Sequence, residues 1–284
     1  MTVSLNASAK AGPAEMETEQ VDLLSQIQLR FNAIREAIEI KVFDDNGLEL
    51  DEEDDPGSID HILNVDIDPG DFDFATTAQK QGAFEDWLED VLDQGLLESL
   101  SRDDVAAGRH YTAPYMDSSY NQGLTWADRQ MEQVGLDVGD STVDVITQLP
   151  QHEDALETIY TRAYSQLEGV SQGADQEISR ILSNGMAEGA GPRRMADALK
   201  QGATNIEGKR ANAFARTEVM NAHAMAGSTR YQEMGVSLVS IVTHQPCPMC
   251  EAFAADDPYT PEEAAAALPI HPNCVCSMTP YIEN

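Results

Sequence analysis

All four cysteines of the chain, Cys247, Cys250, Cys274 and Cys276, lie in its last 38 residues, with His271 among them. They form two short strings, Cys247-Pro-Met-Cys250 and His271-Pro-Asn-Cys274-Val-Cys276, about 20 residues apart. At such spacing one turn presents two soft donors to one ion, and two such turns complete a tetrahedron. A tail of about 50 residues buries too little apolar surface to fold unaided. A structural zinc ion, whose binding is coupled to folding, supplies the missing stabilisation. Five donors stand for about four places. Cys247 and Cys250 are the firmest ligands, and His271 with either Cys274 or Cys276 closes the site. Alternate residues of an extended segment point the same way, so spacing does not choose between those two. Two disulfides or four free thiols are the competing readings. Disulfides need an oxidising compartment, and the first 20 residues carry no basic stretch followed by an apolar one that would direct export.

Catalytic zinc has less support. Pro246-Cys247-Pro-Met-Cys250 fits the P-C-x-x-C half of the zinc deaminase signature, whose other half is H-x-E. Two places after the six histidines stand Leu63, Thr112, Asp154, Met225, Pro246 and Asn273, and none is Glu. H-E-x-x-H, the P-loop and G-x-G-x-x-G are also absent from the sequence. Only His244 lies close to the cluster to serve a nuclease. A non-enzymatic protein is expected, with a zinc-dependent hydrolase or nuclease, or a cellular zinc-binding adaptor, as the alternatives.

Charge narrows the partners. Asp+Glu number 50 against Lys+Arg 17, a formal net charge of -33 over 284 residues. Phosphate contacts need Lys and Arg, which speaks against direct nucleic-acid binding. No run approaches the ~18 apolar residues of a membrane span, so no membrane partner is expected. A Lys-poor acidic surface suits molar salt, where the Debye length of ~3 Å screens self-repulsion. A hypersaline cytoplasm is the expectation.

Along the chain, residues 1–20 read as a flexible tail and 21–150 as a helical region. Leu24, Ile27, Phe31, Ile34 and Ile38 make a narrow apolar seam, core-facing or docked on a partner. Residues 44–73 hold thirteen acids and no Lys or Arg, an acidic loop whose spacing does not fit an EF-hand. Phe84, Trp87, Leu88, Val91 and Leu92 mark a further helix. The Tyr-rich stretch 109–125 reads as irregular, with a short helix from Trp126, and 135–150 reads as a loop. Residues 151–235 form a helical core. Leu156, Ile159, Ala163 and Leu167 line one helix there, and Ile178, Ile181 and Leu182 a second after Gly173. A break at Gly189 and Gly191 follows, then a short helix from Pro192 with Met195 and Leu199. A long helix runs from about Arg210 to Met234 and is capped by Gly235. Residues 236–284 form the zinc-knuckle module, opening with a strand between Val236 and Thr243. The expected fold is predominantly α-helical with this small C-terminal α/β zinc-knuckle module.

The string Ala215-Arg-Thr-Glu-Val-Met-Asn-Ala-His-Ala224, then Tyr231-Gln-Glu-Met-Gly235, Cys-Pro-Met-Cys and His-Pro-Asn-Cys-Val-Cys resembles the Mu F-type phage head morphogenesis family. These are minor head proteins of tailed viruses, and the likeness covers about 155–282. Gly189-Ala-Gly-Pro-Arg-Arg-Met-Ala-Asp-Ala-Leu199 is similar to the family's turn and helix before the long helix. The resemblance implies a virion protein in few copies near the portal vertex. It would be assembled in the host cytoplasm, with the portal protein or major capsid protein as partner, and a role in head assembly, DNA packaging or ejection. With the charge, a haloarchaeal host is expected. The residues carried over are Arg216, Thr217, Glu218, Cys247, Cys250, His271, Cys274 and Cys276. An Arg is common between the last two cysteines in the family, where this chain has Val275. The chain ends eight residues beyond Cys276, so none of the toxin or enzyme domains of some relatives is expected to follow. Arg216 and Glu218, two apart, cannot share a helix face. One of them is expected to lock the long helix onto the Cys247–Cys250 turn.

Overall fold

The computed structural model describes residues 16–43, 77–188, 192–243, 246–272 and 274–281. The tail before residue 16, the acidic loop 44–73, the glycine break 189–191 and His244 lie outside the described residues. The described chain is predominantly helical with one two-stranded sheet near its C-terminus. In order come α1 (Glu17–Phe43), α2 (Thr77–Leu92), a π turn (Asp93–Leu97), α3 (Arg102–Ala106), α4 (Ala113–Gln133), α5 (Val143–Ile146) and α6 (Pro150–Ala187). Then follow α7 (Pro192–Ile206), a second π turn (Glu207–Ala211), α8 (Asn212–Glu233), β1 (Val239–Val242), α9 (Pro248–Ala255), α10 (Pro261–Ala267) and β2 (Ser277–Pro280). No described helix is long and apolar enough to cross a membrane.

The chain divides into two compact units that interleave in sequence. Of the described residues, one unit takes those within Arg102–Ala163, Ala213–Asn284 and up to Leu23, and the other those within Leu24–Ser101 and Tyr164–Asn212. Neither unit coincides with the sequence segments 21–150, 151–235 or 236–284.

In the second unit the apolar seam of α1 holds except at its first member: Ile27, Phe31, Ile34 and Ile38 are fully buried, as are Phe84 and Leu88 of α2, while Leu24 is half-buried. Arg30 fastens α1 to the first π turn, donating to the Gly95 carbonyl at 2.9 Å and to Glu98 at 2.5 Å. That turn ends on Glu98 and Ser99, both left-handed at φ 55° and 47°. Lys200 of α7 pairs with Glu39 of α1 at 2.7 Å, and Arg35 pairs with Glu207.

In the first unit the Tyr-rich stretch is no loop. It forms α4, 21 residues long, with Pro114 in its first turn where a missing N–H costs nothing. Tyr, Ser, Asn and Gly are mediocre helix formers. Burial overrides that preference, because Met116, Tyr120, Leu124, Ala127 and Met131 recur at helical spacing and are fully buried. Nor, in the second unit, does Gly173 divide the next helix. α6 runs unbroken for 38 residues. The Arg210 guanidinium lies over Gly173, where a Cβ would meet its Nη1 at 1.7 Å, so packing accounts for the missing side chain. The short and long helices after Pro192 are joined through the second π turn, which begins and ends in right-handed helical backbone. α8 closes as expected on Gly235 at φ 75°, with Val236 N–H reaching the Tyr231 carbonyl at 2.8 Å.

Candidate metal centre

The sheet brings the two cysteine strings together. β1 and β2 run antiparallel with Val239 opposite Pro280 and Val242 opposite Ser277. The first string lies just past Val242 and the second just before Ser277, so this register sets both at one end of the ladder. Val239 also bridges to Tyr259, fixing the segment between the strings. β2 is anchored to the helices through one carbonyl. Trp126 Nε1 of α4 and Tyr231 Oη of α8 both donate to Met278 O, each at 3.1 Å. Thr260 caps α10 in a reciprocal capping box with Glu263. Around the sheet lies a core containing Ala127, Ala224, Tyr231, Leu268 and Met278 together with Cys250, Cys274 and Cys276.

Each string has a local reason to turn. Cys247 is the N-cap of α9 with Pro248 at its first position, which sets Cys250 one turn on. The second string closes where Cys274 N–H donates to the His271 carbonyl at 2.9 Å. The donors then converge. Cys247 Sγ lies 3.6 Å from Cys250 Sγ, and His271 Nε2 lies 3.2 Å from each sulfur. Cys274 Sγ lies 4.0 Å from Cys250 Sγ. Zinc–ligand lengths of about 2.3 Å to sulfur and 2.0–2.1 Å to nitrogen give tetrahedral edges of roughly 3.8 Å and 3.5 Å. Cys247, Cys250 and His271 match one face of that shape within a few tenths of an ångström, and Cys274 meets it at the Cys250 edge alone. Cys250, Cys274 and Cys276 form a second group whose sulfurs lie within 4.8 Å of one another. All five sequence-expected donors are therefore brought together, with Cys250 shared between two sets of three.

The electrostatics favour a ligand role. His271 Nδ1 lies 2.7 Å from the Pro272 carbonyl, which can only accept, so Nδ1 carries the proton and Nε2 presents its lone pair to the sulfurs. That bond also raises the His271 pKa. Cys247 is lowered, first by the Cys250 backbone N–H on its sulfur. The Cys276 thiol hydrogen bond brings Cys274 down to about 5. Burial raises Cys250, and the neighbouring Cys274 sulfur raises Cys276. Thiolate is thus favoured at one member of each string, the form a metal needs. The thiols are unbridged, so the disulfide reading finds no support in this geometry.

The Arg-Thr-Glu string sits elsewhere on α8. Arg216 is exposed, Thr217 is half-buried and Glu218 is buried at 2% exposure. Glu218 accepts from Arg162 Nε of α6 at 3.1 Å. Its partner is therefore a neighbouring helix and not the Cys247–Cys250 turn where a lock was expected. Burial raises the Glu218 pKa, with Arg162 opposing.

A second polar cluster escaped the sequence reading. Arg230, with 3% of its side chain exposed, donates to Asp128 at 2.7 Å, Glu233 at 2.8 Å and the Val138 carbonyl at 2.9 Å. His152, fully buried, lies between Tyr120 Oη at 2.7 Å and Glu233 at 3.1 Å. The network ties α4, α6 and α8. Arg230 and Asp128 lie 102 positions apart, so no local spacing announces the network. No protein-family model, curated protein or solved structure matches this chain.

Proposed function

We propose that the chain is a structural minor head protein of a tailed virus of a haloarchaeon, seated near the portal vertex and built around a zinc-stabilised module. One observation carries the reading. The Cys/His strings and the helix bearing Arg216, Thr217 and Glu218, separated in sequence, belong to one module: Ala224 and Tyr231 of α8 share a core with Cys250, Cys274 and Cys276.

The role of each part follows from its chemistry. Bound zinc would cross-link the two turns and make their closure part of folding. Cys247, Cys250, His271 and one of the last two cysteines would hold it, Nε2 of His271 being oriented by the Pro272 carbonyl. Four protein donors leave no place for a reactive water, which favours a structural over a hydrolytic centre. Met278 O, held by Trp126 and Tyr231, transmits that rigidity to α4 and α8. The helices then offer a fixed surface to portal or capsid subunits. The acidic surface favours protein over DNA as partner. Mass spectrometry of gradient-purified virions tests the reading. We expect the protein in a few copies per particle. Abundance in infected cells with none in purified particles contradicts it.

A further inference from the structure

The zinc centre offers five donors where a tetrahedral ion takes four, and the fifth needs a role. Two of the pairs are built alike. Cys247 and Cys250 are three apart across the start of α9, and His271 and Cys274 are three apart across a turn closed by the 2.9 Å Cys274 N–H bond to the His271 carbonyl. Cys247, Cys250 and His271 stand 3.2, 3.2 and 3.6 Å apart, near one face of a zinc tetrahedron, and Cys274 reaches it through Cys250 at 4.0 Å, so that closing the fourth corner needs a shift of Cys274 toward Cys247 and His271. Cys276 is positioned differently. It adjoins Ser277, whose pairing with Val242 fixes it to the sheet rather than to the turn. Its side chain is 2% exposed, and its sulfur lies within 4.8 Å of those of Cys250 and Cys274. Those two sulfurs are acceptors within reach of its S–H.

Resting on the zinc reading, we propose that Cys247, Cys250, His271 and Cys274 hold the ion, and that Cys276 stays outside the tetrahedron as a thiol donating to the sulfurs of Cys274 and Cys250. Three thiolates, one neutral imidazole and Zn2+ sum to one negative charge in a largely buried place. A hydrogen-bond donor beside two of the sulfurs spreads that charge. Cys276 is then a positioning residue for the centre and not a ligand.

The test uses the full chain purified under reducing conditions. Zinc affinity is measured by competition with a chromophoric chelator, and thiolate number by the sulfur-to-metal charge-transfer absorption after Co2+ substitution. Wild type is read first: absence of any bound metal overturns the zinc reading itself, and this proposal with it. With metal bound, Cys276→Ala should keep one ion and undiminished charge-transfer intensity, while its affinity drops about 10- to 100-fold, the usual effect of removing an outer hydrogen bond. Cys276→Ser, which keeps a donor, should recover most of that loss. Cys274→Ala should lose one third of the intensity. The reverse pattern, with Cys276→Ala losing a third and Cys274→Ala none, overturns the assignment, as does unchanged affinity in Cys276→Ala. Circular dichroism of each variant separates ligand loss from unfolding, and Cys276→Ser keeps the question answerable where Cys276→Ala fails to fold.

Discussion

His223 on α8 is fully buried, with the Trp126 ring 6.4 Å away. Burial holds its pKa down at about 4 from an ordinary 6.5. The neutral ring is therefore the folded form. The unfolded chain takes up a proton near pH 6.5, and the folded chain resists until about pH 4. Its contribution to stability is present above the unfolded value and is lost as pH falls through this window, by about 3 kcal/mol in all. Glu218, five positions earlier, has the opposite sign: its raised pKa favours the folded state as pH falls. Wild type alone would mix the two. Urea melts of wild type and His223→Leu at several pH values isolate the histidine. We predict that stability between pH 7 and 4 falls less in the variant, by about 3 kcal/mol. Parallel pH curves would contradict the burial argument.

α4 and α8 cross where Gly123 meets the other helix, and a Cβ there would lie 2.5 Å from the His223 carbonyl oxygen and 2.7 Å from Ala226 Cβ. Gly169, exposed on α6, has nothing within 4 Å of the same position. Glycine to alanine in open helix gains up to about 1 kcal/mol. Against a backbone that cannot retreat, overpacking costs about 1–3 kcal/mol. Gly169→Ala should therefore raise the melting temperature and Gly123→Ala should lower it, as scanning calorimetry would record. Equal shifts would mean that the helices do not approach this closely.

The same helices show what the residues disclose by themselves. The seam of α1 and the start of α7 at Pro192 are readable because helical periodicity and proline's fixed φ act locally. The Cys/His strings are readable because each is a turn set by short-range spacing. α4 is not, since its helix rests on burial of Tyr120 and Leu124 against residues distant in sequence. The continuity of α6 past Gly173 likewise depends on Arg210, 37 places away by number. Trp126 and Tyr231 meeting on Met278 O at 3.1 Å is a long-range event that no local pattern encodes. That Cys276 adjoins the strand while Cys274 closes the turn shows only in the strand register.

A net charge of -33 on 284 residues governs the molecule as a whole. Acidic side chains crowd the described surface too. Glu89, Asp93, Glu168 and Asp175 line one cleft, and burial followed by neighbouring carboxylates raises the pKa of both Asp93 and Asp175. Like charges at such density repel unless salt screens them. We predict that the unfolding midpoint rises steadily from dilute buffer to molar KCl. A midpoint that is flat or higher at low salt would remove the case for a hypersaline host while leaving the zinc centre untouched.

The proposed zinc centre is the claim on which the rest depends, because a bound ion would join the two strings beside the sheet and α8. Native mass spectrometry of the full chain, purified with a reductant, weighs it directly. The account predicts one zinc ion per chain, lost on chelation together with the order of residues 236–284 followed by hydrogen exchange. A metal-free mass with those residues equally protected, or a mass lower by the hydrogens of two disulfides, would contradict it.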